Sequence, residues 1–246
     1  FALGPLTAIV LDSFRKFEYG QWFYTLEWYR KLFSLSENNQ FMISLWNSIR
    51  IGIGSAVLSS LCGLGLVSLI ASSKGTKRNF LEIFTLLPLA FSTVVFGIAW
   101  FHFFQRHLIG IFPLIFVIIV MHALLTCPYW VRVVLPTLEN IPKQWYIESK
   151  MLGKKRLDHG LKILWPWLQK TFLIAFFFSF SLSLGELNST MMIADENVST
   201  LPLEIYRAIS GYRFSYASAV GVILLLLSVS TFIVLERSLG YFGTLK

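Results

Sequence analysis

Uncharged runs long enough to cross a lipid bilayer dominate this sequence, and they constrain its fold more than any motif does. A helix crosses roughly 30 Å of hydrocarbon with about 20 apolar residues. Five stretches, 42–71, 80–104, 109–135, 167–184 and 217–235, are read as spans. The first exceeds one hydrocarbon width, which puts its polar start, SLWNSIR, at an interface. Pro88 falls inside the second, and Pro128 is expected to interrupt the third. The opening FALGPLTAIVL is apolar but short, and reads as the end of a helix that starts upstream. Backbone polar groups in lipid must be satisfied within the segment. The expected fold is therefore all-α: a polytopic transmembrane helical bundle of about six helices with the first truncated.

Composition agrees. Of 246 residues 55% are hydrophobic, 16% aromatic and 14% charged, with mean hydropathy +0.65. A soluble domain carries about 25% charged residues, so this chain cannot cover itself in water, and disorder is excluded. Its formal charge of +8 reads as a topology signal rather than as a nucleic-acid footprint, because Lys and Arg gather on the cytoplasmic side. Residues 72–79, 136–166 and the C-terminal tail hold eleven Lys and Arg against seven in 12–41, 105–108 and 187–216, with KKR at 154–156 the densest cluster. Both ends of the six-helix arrangement then lie inside the cell.

Several polar features have two readings. Segment 12–41 interleaves Trp22, Trp28, Tyr19, Tyr24 and Tyr29 with charge, which suits an interfacial amphipathic helix or contact with an external partner. Arg50 and His102 lie near span ends, as snorkelling side chains or as part of a substrate or proton path. Cys62 and Cys127 read as buried small hydrophobes without a disulfide framework. Gly52, Gly54, Ser55, Ser59, Ser60, Gly63 and Gly65 give the first complete span a small-residue face for close helix approach. Pro88 frees backbone groups that lipid does not tolerate, so it marks either a translocation path or a simple kink.

The most informative stretch is Glu139 to Lys170. Asn140 and Pro142 start a helix, Gly153 ends it, and Asp158 precedes another before Pro166. Two short helices meeting at Gly153 are expected, with Trp145, Ile147, Met151 and Leu152 forming an apolar side that needs a partner.

This segment resembles the cytoplasmic signature loop of the permeases of binding-protein-dependent ABC importers, where Glu-Ala-Ala, three residues, Gly, nine residues, Ile, one residue and Leu-Pro build a coupling helix. Gly153, Ile163 and Pro166 keep that spacing, with Trp165 in place of Leu. Ile147 stands at the usual Glu, and Glu148 and Ser149 at the two Ala positions, so Glu148 falls one place late for the Glu role. NSIRIGIGSAVLSSLCGLGLVSLIA (47–71) and LLPLAFSTVVFGIAW (86–100) are similar to the first two core spans. SLGELNSTMMI (183–193) and the stretch 200–228 resemble the iron(III)- and thiamine-type branch, and the likeness covers about 40–236.

The resemblance implies a type I importer permease of a bacterial inner or plasma membrane. Its implied partners are an ATPase subunit dimer, a second permease half or chain, a periplasmic or extracellular substrate-binding protein and membrane lipid. Residues 1–246 would form one transmembrane domain (core 40–236), the C-terminal half of a longer permease, with 139–166 as the coupling loop docking the ATPase through Glu148, Ser149, Gly153, Ile163 and Pro166. Pro88 and Glu186 are candidate path residues. LPLEIYRAI, around Pro202, is expected to form a short amphipathic helix that meets the binding protein or re-enters the interface.

Enzyme chemistry finds no support. The chain lacks GxxxxGK[ST] and HExxH, so it is expected to be no enzyme, with no cofactor of its own and ATP held by the partner. His102, His107, His122 and His159 are scattered, and no metal site is expected. The cargo implied is iron(III) or thiamine. The alternative is an ion-gradient-driven secondary transporter, which places ionisable residues or broken helices at the bilayer midplane.

Overall fold

A computed structural model describes residues 3–18, 21–34, 39–107, 112–142, 165–195 and 198–243. Ten helices and one small hairpin are seen among them. In chain order they are α1 (Leu3–Ser13), β1 (Arg15–Glu18), β2 (Gln21–Tyr24), α2 (Glu27–Leu32), α3 (Gln40–Ser72), α4 (Gly75–Ala90), α5 (Thr93–His107), α6 (Leu114–Glu139), α7 (Trp165–Gly185), α8 (Asn188–Met191), α9 (Leu201–Ser210) and α10 (Phe214–Gly243). Four of these, α3, α6, α7 and α10, are long and apolar enough to cross a membrane, and α4 with α5, bent by 97° at their break, counts as a fifth when the pair is taken as one span.

Contacts fix the helix directions. Ile51 packs with Ile118 and Met121, whereas Val67 and Ile70 pack with Trp130, Val131 and Val134, so α3 and α6 run parallel. Helix α7 returns against them: Leu168 and Phe172 lie at the Trp130 level, and Phe180 and Leu184 reach Ala56. Helix α10 runs with α3, its Ala219 and Val220 beside Phe41 and its Leu224 and Leu227 beside Ala56. Arg78, early in α4, pairs with Glu139 at the end of α6 at 2.7 Å. Trp100 of α5 donates to the Val117 carbonyl near the start of α6 at 3.2 Å. The bent pair therefore travels the full length of α6 in the opposite sense, and five crossings alternate in direction.

Small residues make the central contacts possible, since lipid supplies little drive for helix association. A side chain at Gly52 would meet Phe180, one at Gly54 would meet Ile119, and one at Gly63 would meet the Trp130 ring. Ser60 of α3 accepts from Trp130 Nε1 at 3.0 Å. Gly65 faces open space, so the small residues serve more than one face.

The structure corrects four local expectations. The second span is broken between Ala90 and Thr93, with Pro88 inside α4 rather than at the break. Pro128 does not interrupt the third span: α6 continues through Pro128 and Pro136, held between α3 and α7. Residues 12–41 do not form one amphipathic helix. Instead Arg15–Glu18 and Gln21–Tyr24 pair antiparallel with Phe17 opposite Trp22, as aromatic residues favour, and α2 follows. Cys62 is exposed on α3, while Cys127 is buried. The hairpin is an appendage to an all-α bundle.

Candidate functional site

The break between α4 and α5 opens onto a cavity of about 180 Å³ lined by Pro88, Leu89, Phe91, Thr93, His122, Leu125, Thr126, Tyr129, Leu182, Ser183 and Glu186. Pro88 and Glu186, far apart in sequence, thus share one wall. At 1.5 Å per residue, His122 lies about 12 Å and Tyr129 about 22 Å from the start of α6, a helix of 26 residues. The cavity therefore lies near the middle of α6 and at the last turn of α7.

His122 is the residue the sequence reading passed over. Its side chain is 1% exposed, and its ring nitrogens meet Ser183 Oγ at 2.7 Å and Thr190 Oγ1 at 2.8 Å. The Thr190 hydroxyl donates to the Glu186 carbonyl at 3.3 Å. With its single proton so used, Thr190 accepts from His122 Nε2–H, and Nδ1 then accepts from the Ser183 hydroxyl. Thr126 Oγ1 donates to the His122 carbonyl at 3.0 Å. An ionisable residue deep in a span was the available signal. It was obscured because a lone His inside FVIIVMHALLTC carries no motif.

Glu186 closes the end of α7. One carboxylate oxygen accepts from Ser189 N–H at 2.9 Å and from Ser189 Oγ at 3.0 Å, fixing the turn into α8. Asn188 of α8 donates to Thr93 Oγ1 at 3.2 Å. At Gly97 an added Cβ would stand 2.9 Å from Ser189 Cα, so the absent side chain lets α8 lie directly on α5. Among the described residues the lining contains one carboxylate, hydroxyls, the His122 imidazole, the Tyr129 and Phe91 rings, and no Lys or Arg.

Other sequence-derived positions are elsewhere. Pro166 is exposed in the first turn of α7, and Glu148, Ser149, Gly153 and Ile163 lie outside the described residues, as do the two short helices expected around Gly153. Arg50 is exposed and stacks on Trp46 at 5.2 Å, and exposed His102 meets its own helix at the Ile98 carbonyl. Neither lines the cavity. The expected helix after Thr200 is α9, with Pro202 in its first turn. Its Glu204 is buried, accepting from Tyr216 Oη at 3.2 Å. No group of three metal-ligating side chains occurs among the described residues.

A multi-pass bundle with a proline-flanked cavity lined by both apolar and polar side chains fits a membrane transport component. Residues 46–241 match the family described as binding-protein-dependent transport system inner membrane component, and the chain belongs to that family. Its members are permease subunits rather than enzymes. The chain is 24% identical over 193 residues to the thiamine transport system permease protein ThiP of Brucella abortus, covering 78% of this chain and 35% of that protein. It thus spans about a third of the length of these relatives. It is 22% identical to the probable sulfate transport system permease protein cysT of Prototheca wickerhamii, covering 80% of this chain and 82% of that one. Among solved structures, a bacterial alginate ABC transporter in complex with a periplasmic protein superposes with TM-score 0.74 at 15% identity, covering 96% of this chain and 88% of that one. The MetNI methionine ABC transporter, inward facing, superposes with TM-score 0.70 at 16% identity, covering 85% and 99%. Both share the fold.

Proposed function

We propose that this chain is the permease part of an ATP-driven type I ABC importer, with the cavity between α5, α6 and α7 as a section of its substrate path. The observation that carries the reading is the broken second span opening onto a mid-depth cavity. Irregular backbone at that depth is tolerated only against protein or a water-filled space. The end of the bundle bearing Lys74, Lys77, Arg78 and Glu139 is then cytoplasmic, and α8 and α9 face the outside. Residues 139–166 dock an ATPase dimer that holds the ATP, and a second permease half, on the same chain or another, completes the path. The exposed aromatic hairpin and α9 lie on the side from which a substrate-binding protein delivers cargo.

The lining favours a small organic cation such as thiamine. A single carboxylate with aromatic faces suits a delocalised positive charge, a bare iron(III) ion calls for several hard oxygen ligands, and no cation is present in the lining to meet an oxyanion. An ion-gradient-driven carrier is favoured by two observations, the buried His122 in a span and the break in the second one.

Copurification from native membranes tests the docking. An ATPase is expected with the wild-type chain and not with Gly153→Asp, at equal levels of the membrane protein. ATP-independent uptake by the purified chain in liposomes refutes the ABC reading in favour of the gradient-driven one.

A further inference from the structure

We propose that His122 is a positioning residue that holds α8 closed over the outer mouth of the cavity, so that outward opening of the path requires its bond to Thr190 to break. The assignment of an outer mouth rests on the permease reading above.

Helix α8 has four residues, too few to be stable by itself, so its place is set by what it is bonded to. Each bond reaches a residue lining the cavity: Asn188 to Thr93, Ser189 to Glu186, and Thr190 to His122. Of these, Thr93 belongs to α5, Glu186 to the end of α7, and only His122 to α6. His122 also binds Ser183 of α7, so one ring spans α6, α7 and α8. The imidazole is fully enclosed, and a Thr190 hydroxyl that leaves it strands a buried Nε2–H donor. Closure and satisfaction of His122 are therefore the same event. The close seat of Ser189 on Gly97 supplies the second contact that a departing α8 must give up.

The test reads access to the cavity from outside. In the full chain with Cys62→Ser and Cys127→Ala, Thr126→Cys puts a thiol in the lining at a position that is 4% exposed, and a membrane-impermeant maleimide is added to right-side-out vesicles. His122→Ala and Thr190→Val are each expected to speed labelling about tenfold, the equivalent of a typical buried hydrogen bond, and the double variant to go no faster than the faster single one. Gly97→Ala, which displaces the Ser189 backbone while leaving His122 intact, is expected to speed it too. Trp130→Phe, which removes the distant bond to Ser60, is expected to change nothing. Labelling that stays slow in His122→Ala and Thr190→Val, or that rises equally in Trp130→Phe, overturns the proposal. Should His122→Ala fail to accumulate, Thr190→Val and Gly97→Ala decide it on the same terms. The assay needs neither ATPase nor cargo, so a negative result removes the latch alone. Loss of ATP dependence, read separately by uptake, removes the permease reading.

Discussion

Gly63 and Gly65 stand two residues apart on α3 and predict opposite responses to the same substitution. An added Cβ at Gly63 would lie 2.7 Å from Trp130 Cδ2 and 3.1 Å from Cζ3, with Cε3 nearer still. That ring is fully buried, tied through Nε1–H to Ser60 and set edge-on to Phe172 at 5.8 Å. It has nowhere to swing, so Gly63→Ala parts α3 from α6 and breaks the bond to Ser60. Overpacking costs about 1–3 kcal/mol, and the lost hydrogen bond about 1 kcal/mol. Better helix propensity of Ala returns about 1 kcal/mol, leaving a net loss of about 1–3 kcal/mol. At Gly65 nothing lies within 4 Å, and only the propensity gain remains. Thermal unfolding of the detergent-solubilised chain, followed by tryptophan fluorescence, should place Gly65→Ala at or above wild type and Gly63→Ala clearly below it. Gly54→Ala should fall between, because its nearest neighbour is the flexible end of Ile119 at 2.9 Å. Equal midpoints for the Gly63 and Gly65 variants would refute the close-approach argument.

Two further outcomes follow from the end of the bundle that carries the hairpin. Ser48 Oγ accepts from the buried Leu201 N–H at 2.7 Å, so Ser48→Ala leaves that donor unpaired and should cost about 1–3 kcal/mol, read as a lower unfolding midpoint, with Ser48→Thr closer to wild type. Glu27 lies between Lys16 at 2.6 Å and Lys31 at 2.7 Å; hydrogen bonds from Lys16 and then Lys31 hold its carboxyl down from 4.5 to about 2. A depressed carboxyl stabilises the fold above its unfolded value and loses that contribution as pH falls through its folded one. The tie between β1 and α2 should thus hold at pH 5 and above and release from about 4.5 toward 2, seen as a Trp28 fluorescence change that Glu27→Gln abolishes.

The spans were legible because their cause is local: an uncharged run of sufficient length is apolar whatever surrounds it. Within a few residues 42–71, 167–184 and 217–235 reappear as α3, α7 and α10. The hairpin was missed because its four-residue strands, RKFE and QWFY, carry no apolar/polar alternation and lie within a longer aromatic and charged segment. At the site, Pro88 and Glu186 were identified singly, as a helix breaker and as an acid at a span end. That they share a cavity, and that His122 joins them, depends on α6 lying between α5 and α7, which no local pattern encodes.

The prolines show how the surroundings decide. Pro128 sits between buried residues, Thr126 and Cys127 before it and Trp130 and Val131 after it, and Pro136 follows Val134, which packs beside Ile70. Tertiary contacts hold α6 through the missing hydrogen bonds. Helix α4 buries only Thr85, so nothing enforces continuity after Pro88, and the chain turns by 97° before α5. Such a turn interrupts the helical hydrogen-bond ladder at Phe91, although the Ser92 carbonyl already accepts from Phe96 N–H at 2.9 Å, and lipid penalises an interruption that water or protein relieves. The break therefore requires the cavity beside it, and the cavity exists because the break draws α5 away from the line of α4. One proline came to line the cavity and two did not, because α6 is packed tightly around Pro128 and α4 is mostly exposed.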